Sequence, residues 1–185
     1  MLLKLSLILA LLLQCLSALP SDSFQPPTYK QSDPRWGNDT LGFGPDIISS
    51  AGCLITSVTS ALAGYGIQID GVIPTPHDFN NWLKLNGGYL NSDWYTWESI
   101  LPLGFSFQGF VNTTAGIAEQ IMKKNVVILN VSNGHHYVLC IGINAYGYAV
   151  MDPATPGKTI YNFTEVVRGG VYAYKGTTQN KFLEV

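Results

Sequence analysis

The chain has 185 residues and a formal net charge of −2 at pH 7, and only 12% of its residues are charged. That share is about half the usual one, and no basic stripe is present, so we do not expect nucleic-acid binding. No segment reaches the roughly 20 apolar residues that a membrane-spanning helix needs. These properties are typical of one globular domain with a substantial core.

The first 18 residues have the pattern of a secretory signal peptide. Lys4 supplies the basic start, 5–13 is almost wholly apolar, and small residues follow. Residues 19–28 form a short polar lead, and we predict that 29–185 fold as one domain. The expected location is secreted or lumenal, either extracellular or in a lysosome-like compartment, and a monomer is expected.

Four Asn-x-Ser/Thr sequons agree with the secretory route and predict a glycoprotein if the source is eukaryotic. They begin at Asn38, Asn112, Asn130 and Asn162. In a bacterial protein they would carry no meaning. Asn130 ends a predicted buried strand, so we expect that position to be inaccessible to a glycan.

The predicted elements change from helices to strands along the chain. A loop rich in Gly, Pro and Asn is followed by three predicted helices, at about 52–63, 76–85 and 115–124. The second helix has Thr75 as its N-cap and Pro76 at its first position. Apolar segments then predict strands at 126–131, 137–143, 148–151 and 170–174. This order predicts an α+β fold with antiparallel strands.

Cys53 lies where the predicted loop turns into the first helix. At a helix N-terminus the positive end of the helix dipole favours a thiolate over a thiol. A thiolate with a nearby histidine, oriented by a carboxylate, is the arrangement of a cysteine nucleophile. The other cysteine after the signal peptide is Cys140, and two cysteines in a secreted protein also suggest a disulfide.

His135 and His136 compete for the role of general base. Alternation along a strand places their side chains on opposite faces, so only one of them can serve. A three-residue hairpin loop after Ile143 would place Asp152 opposite Val138, on the same face as His136. This register favours His136 as the base, although a bulge would change it.

The same strand geometry shows that the catalytic hypothesis and a Cys53–Cys140 disulfide exclude each other. Cys140 lies about 13 Å from His136 along the predicted strand, at roughly 3.3 Å per residue. Since a disulfide needs Cα atoms within about 7 Å, Cys53 can contact His136 or bond to Cys140, but hardly both. Cys140 is then expected to be an inert thiol in the core.

Four segments follow one another along the chain. They are Gln31-Ser32-Asp33-Pro34-Arg35-Trp36, Gly52-Cys53-Leu54-Ile55-Thr56-Ser57, Gly134-His135-His136-Tyr137-Val138-Leu139 and Asp152-Pro153. In this order they resemble the papain-like cysteine peptidases of family thirty-nine, the relatives of the bacteriocin leader (double-glycine) peptidases. The resemblance spans about 29–174 and is particularly to the stand-alone branch of that family.

The resemblance implies a papain-like fold, with N-terminal helices packed on a C-terminal antiparallel sheet. It implies Cys53 as nucleophile, His136 as base, Asp152 as the residue that orients His136, and Gln31 as an oxyanion-hole donor. The expected substrate is a peptide or protein. Leader removal coupled to export is not expected, because a fused transporter domain is absent from the sequence.

Two other functions are compatible with the same sequence. An amidase or transpeptidase on the same core would use the same catalytic residues. In a non-catalytic binding module Cys53 would instead be disulfide-bonded to Cys140 or unreactive, and the aromatic residues Trp94, Tyr95 and Trp97 would be available to stack on sugars. Such clusters are more often part of a core. No metal-ligand spacing is present in the sequence, and no cofactor is expected.

Overall fold

The computed structural model describes residue 24 and residues 26–176, so the predicted signal peptide lies outside the described part. The α-helices there are α1 (Ile48–Ala51), α2 (Cys53–Gly64), α3 (Pro76–Leu85) and α4 (Thr114–Met122). The strands are β1 (Tyr89–Leu90), β2 (Trp94–Tyr95), β3 (Phe105–Val111), β4 (Val126–Val131), β5 (His136–Asn144), β6 (Gly147–Met151), β7 (Ile160–Tyr161) and β8 (Val166–Tyr174). Short 3₁₀ segments cover Trp97–Leu103, Ser132–Gly134 and Phe163–Glu165.

The predicted α+β class is confirmed, and its centre is an antiparallel sheet of six strands. The strands lie side by side in the order β3-β8-β4-β5-β6-β7. Strands β1 and β2 form a separate two-stranded hairpin. Because β4 is central, all six of its residues are buried, which explains why five of the six are apolar.

Apolar residues pack on both faces of this sheet. Helices α2 and α3 belong to the core on one face, together with Ile128 and Leu139. Helix α4 packs on the other face, where Ile117 and Ile121 meet Leu129. The expectation of helices packed on a sheet is therefore met by α2 and α3, whereas the third predicted helix lies on the opposite face.

Elements with strong local signals have the bounds that the sequence predicts. Helix α3 and strand β4 match residue for residue, and the Thr75 hydroxyl accepts a bond from the N–H of Asp78 as an N-cap should. Strand β3 was not predicted, because its Gln108 and Gly109 interrupt the apolar pattern. It forms by pairing with β8, which lies more than fifty residues later in the chain.

The β5–β6 hairpin has a different loop from the predicted one, but Asp152 still lies where the sequence predicts it. Asn144 pairs with Gly147, so the loop has two residues and the predicted three-residue loop is wrong. A bulge between Cys140 and Gly142 then shifts the register by one position, and Leu139 pairs with Met151. The two departures cancel, and Asp152, the next residue, comes opposite Val138 as predicted.

The burial of the four sequon asparagines shows which of them a glycan could reach. Asn130 is 3% exposed, and its amide nitrogen donates to the carbonyl oxygens of Gly134 and His136. The expected inaccessibility of this sequon is confirmed, whereas Asn38, Asn112 and Asn162 are exposed.

Within residues 24 and 26–176, the helices are too short or too polar to cross a bilayer.

Candidate active site

Cys53 is the first residue of α2 and lines a cleft of about 450 Å³. Gly52 joins α1 to α2, and its N–H donates to the carbonyl oxygen of Ile48 at 2.8 Å. A Cβ atom at Gly52 would lie 2.6 Å from that same oxygen, so the tight junction requires glycine. This junction holds the thiol at the positive end of the helix, where the N–H groups have no partner within the helix.

Ser57 fixes the direction in which this helix faces. It lies one turn after Cys53 on the same side of α2, and its hydroxyl donates to the carbonyl oxygen of Tyr137 at 3.2 Å. Tyr137 follows His136 directly on β5. The contact therefore holds the start of α2 against the start of β5, where the thiol and the imidazole meet.

His136 is the histidine that the structure connects to a carboxylate. Its Nε2 lies 2.8 Å from Oδ1 of Asp152, and its side chain is 13% exposed. Burial lowers the pKa of His136, but the hydrogen bond with Asp152 and the influence of Cys53 outweigh burial and raise that pKa to about 9. Nδ1 is the ring nitrogen left for the thiol. His135 is exposed and lines the same cleft without contacting Asp152.

Asp152 has a fully buried side chain whose acceptor sites are filled. Its Oδ1 accepts from His136 and from the backbone N–H groups of Ala154 and Thr155, both at 2.8 Å. Its Oδ2 accepts from the hydroxyl of Tyr161 at 2.7 Å. Burial raises the pKa of Asp152, but these hydrogen bonds prevail and hold it well below its usual range. The carboxylate is therefore charged and rigidly oriented.

Gln31 is buried and lines the cleft beside Cys53. Its Nε2 donates one hydrogen to the carbonyl oxygen of Ser49 at 2.8 Å, which leaves the second hydrogen for another acceptor. Its backbone N–H donates to Pro153, and the Lys30 ammonium donates to the carbonyl oxygen of Asp152 at 2.6 Å. The Gln31 loop and the Asp152 segment are thus tied together.

Cys53 and Cys140 are both free thiols in the structure. The sulphur of Cys140 donates to the carbonyl oxygen of Gly142 at 3.4 Å, and burial raises the pKa of this thiol to about 12. Cys140 is therefore a buried, protonated thiol, as the sequence predicts for a core residue. The disulfide that one form of the binding-module hypothesis predicts is not formed.

The aromatic cluster divides between core and surface. The Tyr95 hydroxyl lies 3.1 Å from that of Tyr172, and the Trp97 ring stacks on the same tyrosine with centroids 5.7 Å apart. Trp94 is 69% exposed. Two of the three side chains are thus used in packing, and they do not form a platform with Trp94.

Sequence reasoning missed the partners of the predicted residues. Tyr161, Lys30 and Ser57 each contact the site through one hydrogen bond. No local pattern marks Lys30 and Ser57, because their partners are distant in the chain, and Tyr161 reaches Asp152 only through the pairing of β6 with β7. Adjacency to Gln31 is the one signal available for Lys30. In the described part of the chain, no group of three or more His, Cys, Asp or Glu residues is arranged to hold a metal ion.

We expect Tyr161→Phe to lower the free energy of unfolding at neutral pH by about 1–3 kcal/mol, because Oδ2 of Asp152 loses its donor in a buried place. Chemical denaturation followed by fluorescence measures this change. Tyr146→Phe is the matched control, since Tyr146 is 76% exposed, and we expect a change below about 0.5 kcal/mol there. Equal effects of the two variants would contradict the role of the Tyr161 hydroxyl.

The four residues predicted from the sequence, Cys53, His136, Asp152 and Gln31, come together around one cleft. His136 and Asp152 are directly hydrogen-bonded, and Cys53 and Gln31 line the cleft with His136. This arrangement joins a thiol, an imidazole with a raised pKa and a buried carboxylate. Comparisons of the chain with protein-family models, curated proteins and solved structures found no match.

Proposed function

We propose that this chain is a papain-like cysteine hydrolase of the family-thirty-nine type that cleaves peptide or amide bonds, acting in a secreted or lumenal location. One observation carries this function: the Cys53 thiol, the His136 imidazole and the Asp152 carboxylate form a series in which His136 shares an open cleft with Cys53 and is hydrogen-bonded to Asp152. A nucleophile, a base and an orienting group at one cleft are the parts that nucleophilic catalysis needs.

The raised pKa of His136 determines the resting state of the pair. With a pKa of about 9, the imidazole is protonated at neutral pH. A positive charge beside the sulphur stabilises the thiolate, which is the nucleophilic form of cysteine. The buried Asp152 carboxylate stabilises that positive charge and prevents the ring from rotating.

In the proposed reaction the Cys53 sulphur attacks the carbonyl carbon of the scissile bond. The backbone N–H of Cys53 and the free Nε2 hydrogen of Gln31 donate to the developing oxyanion. The C–N bond then breaks as the His136 imidazolium gives its proton to the leaving amine. His136, now neutral, removes a proton from water, which attacks the acyl-enzyme and releases the acid together with the Cys53 thiolate.

An amidase or transpeptidase would share every step up to the acyl-enzyme, and would differ in the amide attacked or in the final acceptor. The non-catalytic binding module has less support. Its disulfide-bonded form needs a Cys53–Cys140 bond, whereas both cysteines are free and Cys140 is buried among core residues. Its other form needs an unreactive Cys53.

We expect the purified protein to cut members of a diverse peptide mixture, and the Cys53→Ala variant to cut none of them. Mass spectrometry of the products identifies the broken bond. A parallel incubation with an added amine separates hydrolysis from transfer, because a transpeptidase yields the new amide. Absence of any Cys53-dependent cleavage of α-linked, γ-linked or side-chain amides would contradict the proposed function.

A further inference from the structure

The tip of the β1–β2 hairpin forms a second wall of the cleft. Leu90 pairs with Trp94, and the intervening Asn91 and Ser92 have φ angles of 47° and 77° in the left-handed region. That conformation is uncommon for residues other than glycine. The backbone N–H of Phe43 donates to the carbonyl oxygen of Ser92 at 2.6 Å, which holds the tip against the neighbouring loop. The hairpin tip is thus built in a strained but anchored form.

Asp93, at the end of this tip, lines the cleft together with Leu41 and Tyr95. The carboxylate of Asp93 lies close to the backbone of Gly44. A Cβ atom at that position would lie 2.6 Å from Oδ2 of Asp93, so the close contact requires glycine. Asp93 is half-buried. Within residues 24 and 26–176, neither a hydrogen-bond donor nor a cation pairs with its carboxylate.

Besides Asp93, the cleft is lined by the thiol of Cys53 and the imidazoles of His135 and His136. Cys53 and His136 belong to the catalytic series, and His135 is exposed. Much of the remaining lining is apolar or aromatic, as at Leu54 and Tyr137. A half-buried carboxylate in such surroundings gains from a cationic partner, since burial weakens its hydration and strengthens a charge pair.

We propose that Asp93 binds a positively charged nitrogen of the peptide in the cleft, either a lysine or arginine side chain or a free amino terminus. This specificity rests on the proposed function and names the substrate class for it. The large apolar side chains exposed around the hairpin tip are Phe43, Leu90 and Trp94, exposed by 66%, 61% and 69%. They offer apolar surface to the aliphatic stem of a basic side chain.

Binding to the Cys53→Ala protein tests the charge selection without turnover. The probes are hexapeptides of one sequence with arginine, lysine, glutamine or glutamate at a single position, with both termini blocked. A second set keeps a neutral sequence and compares a free amino terminus with an acetylated one. Asp93→Asn is made in the same background, and Asp70→Asn is the matched control because Asp70 is exposed and does not line the cleft.

We expect peptides carrying the favoured cation to bind about tenfold more tightly than neutral ones, as a charge-assisted hydrogen bond allows. Asp93→Asn should abolish this preference, while Asp70→Asn should retain it. If the first set shows the preference, Asp93 binds a basic side chain, and if the second set shows it, Asp93 binds the free amino terminus. Equal affinity for basic and neutral peptides, a preference that survives Asp93→Asn, or no binding of any peptide would overturn the inference. Loss of the proposed function is seen separately, as wild-type protein that leaves bound peptides intact.

Discussion

His136→Ala is expected to slow the alkylation of Cys53 by iodoacetamide about 100-fold at about pH 5. A thiol without a cationic neighbour is almost wholly protonated at that pH and reacts slowly. In the wild-type protein the imidazolium of His136 stabilises the thiolate, so the sulphur remains reactive. Mass spectrometry of peptides after timed labelling without reductant measures the rate at each cysteine.

Two internal comparisons make this result specific. His135→Ala removes the adjacent histidine, which has no contact with Asp152, and should leave the labelling rate near that of the wild type. Cys140 should remain unlabelled, since it is buried and its pKa is raised to about 12. Equal labelling of Cys53 in the His136→Ala and wild-type proteins would exclude the thiolate–imidazolium pair. A Cys53–Cys140 link that only reductant opens would support the binding module instead.

The same experiment has an expected upper pH limit. The folded pKa of His136 is about 9 and its ordinary value is 6.5, so the imidazole keeps its proton through neutral pH and loses it as pH rises through about 9. The rate advantage of the wild type over His136→Ala should therefore be large at acidic and neutral pH. It should vanish at alkaline pH, where the wild-type imidazole is neutral.

Asp152→Asn is expected to leave the protein folded but to lower kcat/KM about 10- to 100-fold at about pH 8. The three bonds accepted by Oδ1 can all be kept by an amide oxygen, and the amide nitrogen can donate to the Tyr161 hydroxyl in place of the bond that Oδ2 accepts. The substitution thus removes the charge and preserves the geometry. Without that charge the pKa of His136 falls, and the imidazolium is lost at lower pH.

The pH dependence identifies the cause of the loss. The alkaline limb of the kcat/KM profile should move to lower pH in Asp152→Asn, with a smaller deficit at about pH 6 than at about pH 8. Hydrolysis of a peptide found in the substrate search, measured across the pH range, gives this profile. A profile identical to that of the wild type would remove Asp152 from the site.

Asp152→Ala separates the structural role of the carboxylate from its charge. It leaves buried donors without an acceptor, and we expect a loss of about 3–5 kcal/mol in the free energy of unfolding at neutral pH. The folded pKa of Asp152 lies below its ordinary value of 3.8, so its contribution is present above that value and fades as pH falls through the folded pKa. The His136 contribution is present below 6.5 and fades as pH rises through about 9.

The stability difference between the wild type and Asp152→Ala should therefore be largest between about pH 4 and pH 6.5. Urea denaturation at several pH values measures it, with Asp152→Asn as the isosteric comparison. A large loss in Asp152→Asn as well would mean that the charge, rather than the hydrogen-bond geometry, stabilises the fold.

Local features of the sequence determined much of the architecture. The Thr75 cap with Pro76 defines α3, because capping bonds involve residues only a few positions apart. The apolar residues of β4 are consecutive in the chain, so they too form a local pattern, and that pattern predicts a strand buried on both faces. The position of Cys53 at the start of a helix also follows from local pattern, and it is the part of the site that sequence reasoning established most directly.

Tertiary structure decided which groups meet that thiol. The choice of His136 over His135 depended on a hairpin loop and a bulge that cancel each other, and neither departure has a decisive local signal. The position of Asp93 at the cleft arises from contacts between segments far apart in the chain. The donation from Tyr161 to Asp152 depends on the pairing of β7 with β6. Local preferences act over a few residues, whereas such contacts depend on how the whole sheet is paired and packed.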